Sequence, residues 1–346
     1  MHIRTRPGLA FLALALSSTA ILAQQPAPPS ASASNRMVLD VVVTPKSGPP
    51  VANLQQQDFT ILDNKRPEPI TSFSVVKGAE APIEVVVVID TVNADPQELA
   101  VERAEIDKFF KSNGGHLSFP TSLAILEDAG VAMGETPTRD GNLLSAALAQ
   151  TNLGSGVQLK NTGPANDADR AHRCLAAAER LVVREASIPG RKIILWVSPG
   201  WPLVSNANLN YDDKQTTQLF HQGVVMSTLL RRANVTFYSI SPAGTDASSH
   251  QLDYEQFLKG AAKPIQGLPG FTALQVMSVQ SGGLALTGSN DIAGELERCL
   301  ADLTAYYELS FDPPPDERRD NLHTLQVKVS QPGDTARTRT IYYSQP

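Results

Sequence analysis

One stretch limits what this chain can fold into more than any other: Ile83-Glu84-Val85-Val86-Val87-Val88-Ile89-Asp90. Apolar, β-branched residues occupy both its odd and its even positions, so a strand built from it must be covered on both faces. That describes a central strand of a parallel sheet rather than an edge strand with one wet side. The run ends on a carboxylate, passes through the polar turn Thr91-Val92-Asn93-Ala94-Asp95, and meets Pro96, a residue suited to the first turn of a helix. Asp90 therefore stands at the carboxyl end of an inner strand. Open α/β sheets bind ligands at that end.

The flanking sequence continues the alternation. Leu99, Ile106, Phe109 and Phe110 fall at helical spacing, and Ser122 to Leu126 is the next strand. Val131-Ala132-Met133 follows so closely that it must return as an antiparallel hairpin partner. Asn142 to Gln150 starts a second helix, and a Gly/Asn-rich loop covers roughly the next dozen residues. Ala171, Cys174, Leu175, Ala178, Leu181 and Val182 trace another helical face.

Lys192 to Val197 is a second doubly covered strand, ending in Ser198-Pro199-Gly200. A helix carrying Phe220, Val224 and Leu230 leads to a strand from Val235 to Ile240. A helix over Phe271 to Val279 and a short strand over Gly283 to Leu286 come next. The last helical face holds Ile292, Leu296, Cys299, Leu300 and Leu303, with Asn290 or Asp291 available as its cap. Such alternation predicts a doubly wound, mostly parallel six-stranded sheet with helices on both faces.

Short β-rich runs bracket this α/β region. Val38 to Val43, Phe59 to Leu62 and Ile70 to Val76 precede it; Tyr307 to Phe311, Leu325 to Val329 and Thr340 to Tyr343 follow it. Three strands are marginal alone, so both ends are expected to join in one small antiparallel β-sandwich. The expected organisation is a signal peptide over 1–23, a flexible linker over 24–36, β-strands over 37–80, the α/β domain over 81–305, and completing β-strands over 306–346.

The leader assignment rests on Arg4 and Arg6 followed by the apolar stretch Leu9 to Leu22, too short for a membrane span, and then Ala23-Gln24-Gln25-Pro26. It predicts an exported, periplasmic or extracellular protein with no stable membrane insertion after cleavage. Losing Arg4 and Arg6 moves the formal charge from −6 to −8, which disfavours nucleic acid and anionic lipid as partners. Cys174 and Cys299 invite a disulfide in an oxidising compartment. Right-handed crossovers nevertheless put their helices on opposite faces of the sheet, and Cα atoms more than about 7 Å apart cannot bridge, so two buried free thiols are expected.

The order strand, helix, hairpin, helix, strand, helix, strand, helix, strand, helix, with Asp90 closing the first strand, resembles the von Willebrand factor type A (VWA) domain. Val41-Val42-Val43-Thr44 with Leu54 to Phe59, Arg139-Asp140-Gly141-Asn142, and Tyr307-Glu308-Leu309-Ser310-Phe311 with His323 and Tyr342-Tyr343 extend the likeness to exported bacterial VWA-related proteins of the acidobacterial type. The resemblance implies a metal-ion-dependent adhesion site of the form Asp-x-Ser-x-Ser, with a later Thr and a later Asp. Here Asp90 matches, but the two serine positions fall on Val92 and Ala94, the Thr position on Asp140 and the Asp position on Pro199. Mg²⁺ requires roughly six oxygen ligands. With two oxygens replaced by hydrocarbon, the expectation is no cofactor and a degenerate site. Weak Mg²⁺ binding by Asp90 and Asp140 is the alternative.

The functional expectation is a non-enzymatic adhesion or assembly module that binds a protein partner through Asp90, Thr91, Asn93, Asp95, Asp140 and an exposed Trp201. A secreted hydrolase, combining Ser198 with His250 and a distant acid, is a second alternative. Against it, Ser198-Pro199-Gly200 lacks the preceding Gly of a nucleophile elbow, and no Gly-rich phosphate loop follows Asp90.

Overall fold

A computed structural model of the chain describes residues 36–78, 81–134, 136–153, 164–201, 211–242, 254–315 and 318–345. The expected leader, all of the linker before Arg36, most of the Gly/Asn-rich loop and the histidine at position 250 lie outside the described residues.

In chain order the elements are β1 (Met37–Thr44), β2 (Phe59–Asp63), β3 (Arg66–Glu68), β4 (Ser72–Lys77), β5 (Ile83–Asp90), α1 (Pro96–Lys111), β6 (His116–Glu127), β7 (Gly130–Met133), β8 (Thr138–Asp140), α2 (Gly141–Gln150), α3 (Pro164–Glu185) and β9 (Arg191–Val197). Then come α4 (Asp213–Arg232), β10 (Val235–Pro242), α5 (Leu274–Gln280), β11 (Ala285–Ser289), α6 (Ile292–Ala301), β12 (Ala305–Phe311), β13 (Leu322–Val329), β14 (Thr335–Arg337) and β15 (Ile341–Tyr343). Residues 36 to 346 form one compact unit.

The central sheet runs β11-β10-β9-β5-β6-β7, and β8 pairs with β6 off that path. Strands β11, β10, β9, β5 and β6 are mutually parallel, while β7 and β8 return antiparallel. The fold is thus α/β with a mostly parallel sheet, and β8 makes it one strand larger than the sequence predicts. Every residue of β5 is buried. Val85, Val87 and Ile89 join a core with Ile106 and Phe110 of α1, and Val86 and Val88 join a core with Leu181 of α3 and Leu230 of α4. Two faces needing cover are why this run is apolar throughout.

Several boundaries move. The predicted helix over Phe271 to Val279 is a 3₁₀ turn at Pro269–Thr272 followed by α5. The short strand starts at Ala285, because Gly283 is a close-packing point: a Cβ there would lie 1.8 Å from the Phe237 carbonyl oxygen. Asp291, rather than Asn290, caps α6 by accepting from Gly294 N–H (3.2 Å).

The end strands mix more thoroughly than expected. One four-stranded sheet is β14-β1-β12-β4 and the other β15-β13-β2-β3. The N-terminal runs do not form a unit of their own, since β1 and β4 both pair with β12, whereas β2 pairs with β13. Leu39 and Val41 of one sheet share a core with Ile61 and Val327 of the other. Neither end of the chain can close this core without the other.

Candidate functional site

Strand β5 lies between β6, the next parallel strand in the chain, and β9, which is reached only after the chain crosses to the other side. The carboxyl ends of β5 and β9 are therefore the topological switch point, where loops diverge and leave a crevice. Asp90 ends β5, Ser198 immediately follows β9, and their side chains meet: Ser198 Oγ donates to Asp90 Oδ2 at 2.8 Å.

Three more donors converge on the same carboxylate. Val92 N–H and Asn93 N–H donate to Oδ1, each at 3.0 Å, and Asn93 Nδ2 donates to Oδ2 at 2.8 Å. The first two are an Asx turn, in which a short acid folds the next residues back over itself. Asp90 is fully buried. Burial pushes its carboxyl above the usual range, while the hydrogen bonds from Asn93, Ser198 and Val92 oppose that rise.

Asn93 Nδ2 also lies 3.2 Å from Cys174 Sγ, while Gly200 N–H donates to Ser198 Oγ at 3.0 Å. Thr91 Oγ1 donates to the Leu126 carbonyl at 2.7 Å, stitching the turn to β6. Val92 and Ala94, at the two positions where an ion site would need hydroxyls, are buried in the two opposite cores.

The remaining predicted residues are dispersed. Asp95 caps α1, accepting from Gln97 N–H (2.7 Å) and Glu98 N–H (2.8 Å), while Glu98 accepts from Asp95 N–H (2.8 Å). This reciprocal capping box is written in the sequence as Asp-Pro-Gln-Glu. Asp140 likewise caps α2 through Asn142 N–H (2.9 Å) and Leu143 N–H (3.3 Å).

Asp140 cannot share an ion with Asp90. It pairs with His116, at the start of β6, whereas Asp90 pairs with Leu126, near that strand's end. At about 3.3 Å per residue, the two carboxylates stand roughly 30 Å apart, on opposite edges of the sheet. The sequence-based pairing failed because β8 runs antiparallel and carries Asp140 back to the wrong edge. Trp201 is also not the exposed anchor expected: it is 5% exposed and rests edge-on against Trp196, with ring centroids 5.2 Å apart. Beside it is a cavity of about 120 Å³, also lined by His172, Leu175, Tyr211 and Gln222.

The residues at the switch point do not fit a divalent cation. The Asp90 carboxylate already accepts four protein hydrogen bonds, so an ion would have to displace Asn93 and Ser198 to reach it. Among the described residues no group of three or more His, Cys, Asp or Glu side chains could hold a metal. Ser198, the hydroxyl a hydrolase would need, is buried with its hydrogen directed at Asp90 rather than at an imidazole.

Sequence reasoning missed other buried polar groups. Glu102 sits within the Leu99–Ile106 stripe of α1, fully buried, with neither carboxyl oxygen hydrogen-bonded. Burial, then the charge of Asp90, holds it well above the usual carboxylate range. Its helical spacing was the available signal. At the opposite sheet edge, Glu185 at the end of α3 is fully buried and unpartnered, its pKa raised to about 7 by burial and then by Glu84. In the sandwich, His323 Nδ1 lies 2.9 Å from Asp63 Oδ1, and Tyr342 OH donates to Asp63 Oδ2 at 2.6 Å. These three come from β13, β2 and β15, and no local pattern announces them.

Both cysteines are free and buried, Cys174 in the core beneath α3 and Cys299 in the core on the other face. The sheet between them is the barrier the crossover argument requires. Among the described residues no helix is long and apolar enough to cross a membrane.

No protein-family model matches the chain, and no curated protein matches it. Among solved structures it is similar to the conserved hypothetical protein BatB from Bacteroides thetaiotaomicron, at 9% identity over 64% of this chain and 98% of that one (TM-score 0.34). It is similar to the SpRpn10 VWA domain at 14% identity over 62% of this chain and 94% of that one (TM-score 0.31). The pilus adhesin SpaC from Lactobacillus rhamnosus GG matches at 8% identity over 82% of this chain (TM-score 0.37), and this chain spans 48% of the adhesin. TM-scores below 0.5 decide nothing about this chain, whose fold class is read from its own strand order and registers.

Proposed function

We propose that this chain is an exported, non-catalytic protein-interaction module of the VWA-like type, in which an internally satisfied turn has replaced the metal-ion-dependent adhesion site. The observation that supports this reading is the coordination of Asp90. An ion-binding carboxylate must offer lone pairs to solvent, and this one offers them to Val92, Asn93 and Ser198 in a fully buried position. Hydrocarbon at Val92 and Ala94 removes two further ligands. Adhesion would then rest on the loop surface around the switch point, with no bridging ion. A protein partner fits the acidic, nucleic-acid-averse charge of the mature chain.

The test is a titration of EDTA-stripped protein with Mg²⁺ and Mn²⁺, read by thermal denaturation. An ion that binds only the native state raises the midpoint with concentration, and no shift is expected up to about 10 mM. A saturable rise would overturn the degenerate-site reading. Affinity capture from exported fractions of the native source, run in Mg²⁺ and again in EDTA, should recover the same protein partner in both. Recovery in Mg²⁺ alone would make adhesion metal-dependent, and no specific partner in either would remove the interaction reading.

A further inference from the structure

Trp201 is not an exposed anchor but part of the base of a hollow at the carboxyl edge of the sheet, a few residues beyond Ser198. The cavity, of about 120 Å³, lies between α3 and α4. Leu175, Trp201 and Ala273 are buried and form its base, while His172 is exposed and Tyr211 and Gln222 are half-buried around its opening. Its volume decides what can enter. A cavity of about 150 Å³ holds one benzene ring, whereas drug-sized ligands need about 300 Å³ or more. One ring fits here, and a larger ligand does not.

The surface beside the opening is apolar and held in place. Pro269 and Thr272 of the cavity wall belong to a loop that also carries Ile265 and Leu268, which are 71% and 40% exposed. Within that loop Gln266 Oε1 accepts from Ala262 N–H (2.9 Å) and Lys263 N–H (3.0 Å), and Gly267 N–H donates to Pro264 O (3.0 Å). Gly267 lies so close to α4 that a Cβ there would stand 2.0 Å from the Thr216 carbonyl oxygen. A backbone tied down in this way keeps Ile265 and Leu268 in water rather than letting them fold inward. Single exposed apolar residues are ordinary, but two of them fixed beside an open apolar pocket make an interaction surface.

We propose that this pocket, with the adjoining Ile265 and Leu268, is where the protein partner docks, and that the partner inserts one aromatic side chain between α3 and α4. Trp201 and Tyr211 among the lining residues favour an aromatic over an aliphatic side chain, because rings attract one another edge to face. A free single-ring compound would fill the pocket and leave Ile265 and Leu268 in water. A protein surface carrying that ring covers all three at once, with the ring as the buried anchor and the loop as the contact that excludes water around it. The loop is already fixed before the partner arrives, so little ordering is lost on binding. The inference rests on protein interaction as the function of the chain and names the surface that performs it.

The pocket is tested with p-cresol, the side chain of tyrosine alone, by NMR on the methyl-labelled mature chain. Burying roughly 150 Å² of ring corresponds to a Kd of about 1 mM. The methyl signals of Leu175, Leu219 and Ala273 should therefore shift and reach half-saturation near about 1 mM. Cyclohexanol, a ring of similar size without a π-system, should bind about threefold more weakly. Ala171→Phe and Gln222→Trp, which fill the cavity from different helices, should each abolish the shifts with the circular dichroism spectrum unchanged. In affinity capture from exported fractions, Ile265→Asp should still bind p-cresol yet recover at least about fivefold less of the partner, as should Gln222→Trp. No methyl shifts at about 10 mM p-cresol, or equal affinity for cyclohexanol, would overturn the aromatic pocket whatever is captured. Undiminished capture by both variants would overturn docking at this surface and leave the protein-interaction reading standing. A native chain that binds p-cresol but captures no partner would overturn that reading, and the protein occupant with it.

Discussion

Removing the Asp90 carboxylate gives opposite results for an internally satisfied turn and for a vacant ion site. Asp90→Ala strands four donors in a fully buried position: Val92 N–H, Asn93 N–H, one Asn93 Nδ2 hydrogen and the Ser198 hydroxyl. Each unsatisfied buried donor costs about 1–3 kcal/mol. Loss of the buried charge itself recovers part of that, as does water entering the vacated space. The expected net destabilisation is about 3–5 kcal/mol, similar to breaking a buried charged network from one side. That is a large share of the roughly 5–15 kcal/mol that holds a typical domain folded.

Asp90→Asn should cost only about 1–2 kcal/mol, a single unmade hydrogen bond's worth. Its carbonyl oxygen still serves the two backbone donors, and Ser198 can rotate to accept from the new amide. Asn93 Oδ1, at present buried without a donor, can turn toward that amide as well. The assay is equilibrium urea denaturation in EDTA at pH 7, with equal slopes confirming that stability alone has changed. A carboxylate waiting for an ion would be repelled by its surroundings in EDTA, and its removal would be neutral or stabilising. A stability for Asp90→Ala within about 1 kcal/mol of the native chain would refute the reasoning, since even one stranded donor costs that much.

Glu185 supplies a pH prediction: with its pKa raised to about 7 in the fold, the unfolded chain releases that proton at lower pH, so its stabilising effect is complete below about 4.5 and is lost as pH rises to about 7. A shift of that size, in which the lowering effects of Arg184 and Lys192 are already included, converts to at most about 3 kcal/mol, and local relaxation with water entry on ionisation reduces it to about 1–2 kcal/mol. Glu185→Gln should therefore gain about 1–2 kcal/mol on the native chain between pH 5 and pH 8 in parallel urea titrations, and parallel curves would refute it. The thiols should be inert, since burial pushes both Cys174 and Cys299 far above the ordinary thiol range. Dithionitrobenzoate should label neither in the native chain and both in guanidinium without reductant; fewer than two labelled in guanidinium would reveal a disulfide.

What the sequence determined by itself was which elements form and which of their sides are wet. An unbroken apolar run such as Ile83 to Asp90 can satisfy its two faces only between helices, and the face of Cys174, Leu175 and Ala178 can only look inward. Those are local consequences of a period of 2.0 or 3.6 residues. The switch-point location of Asp90 was legible for the same reason, because chain order and crossover handedness place the first strand in the middle.

Tertiary structure alone decided what Asp90 touches. Ser198 arrives from a strand more than a hundred residues later, while β8 carries Asp140 to the far edge instead of beside it. Trp201 is covered by packing that its loop-like sequence does not announce, and Asp63, His323 and Tyr342 meet only because three distant strands share one sheet. Hydrophobic periodicity reports burial one element at a time. Which polar groups share a buried space depends on pairing between elements, and no single segment of the chain encodes it.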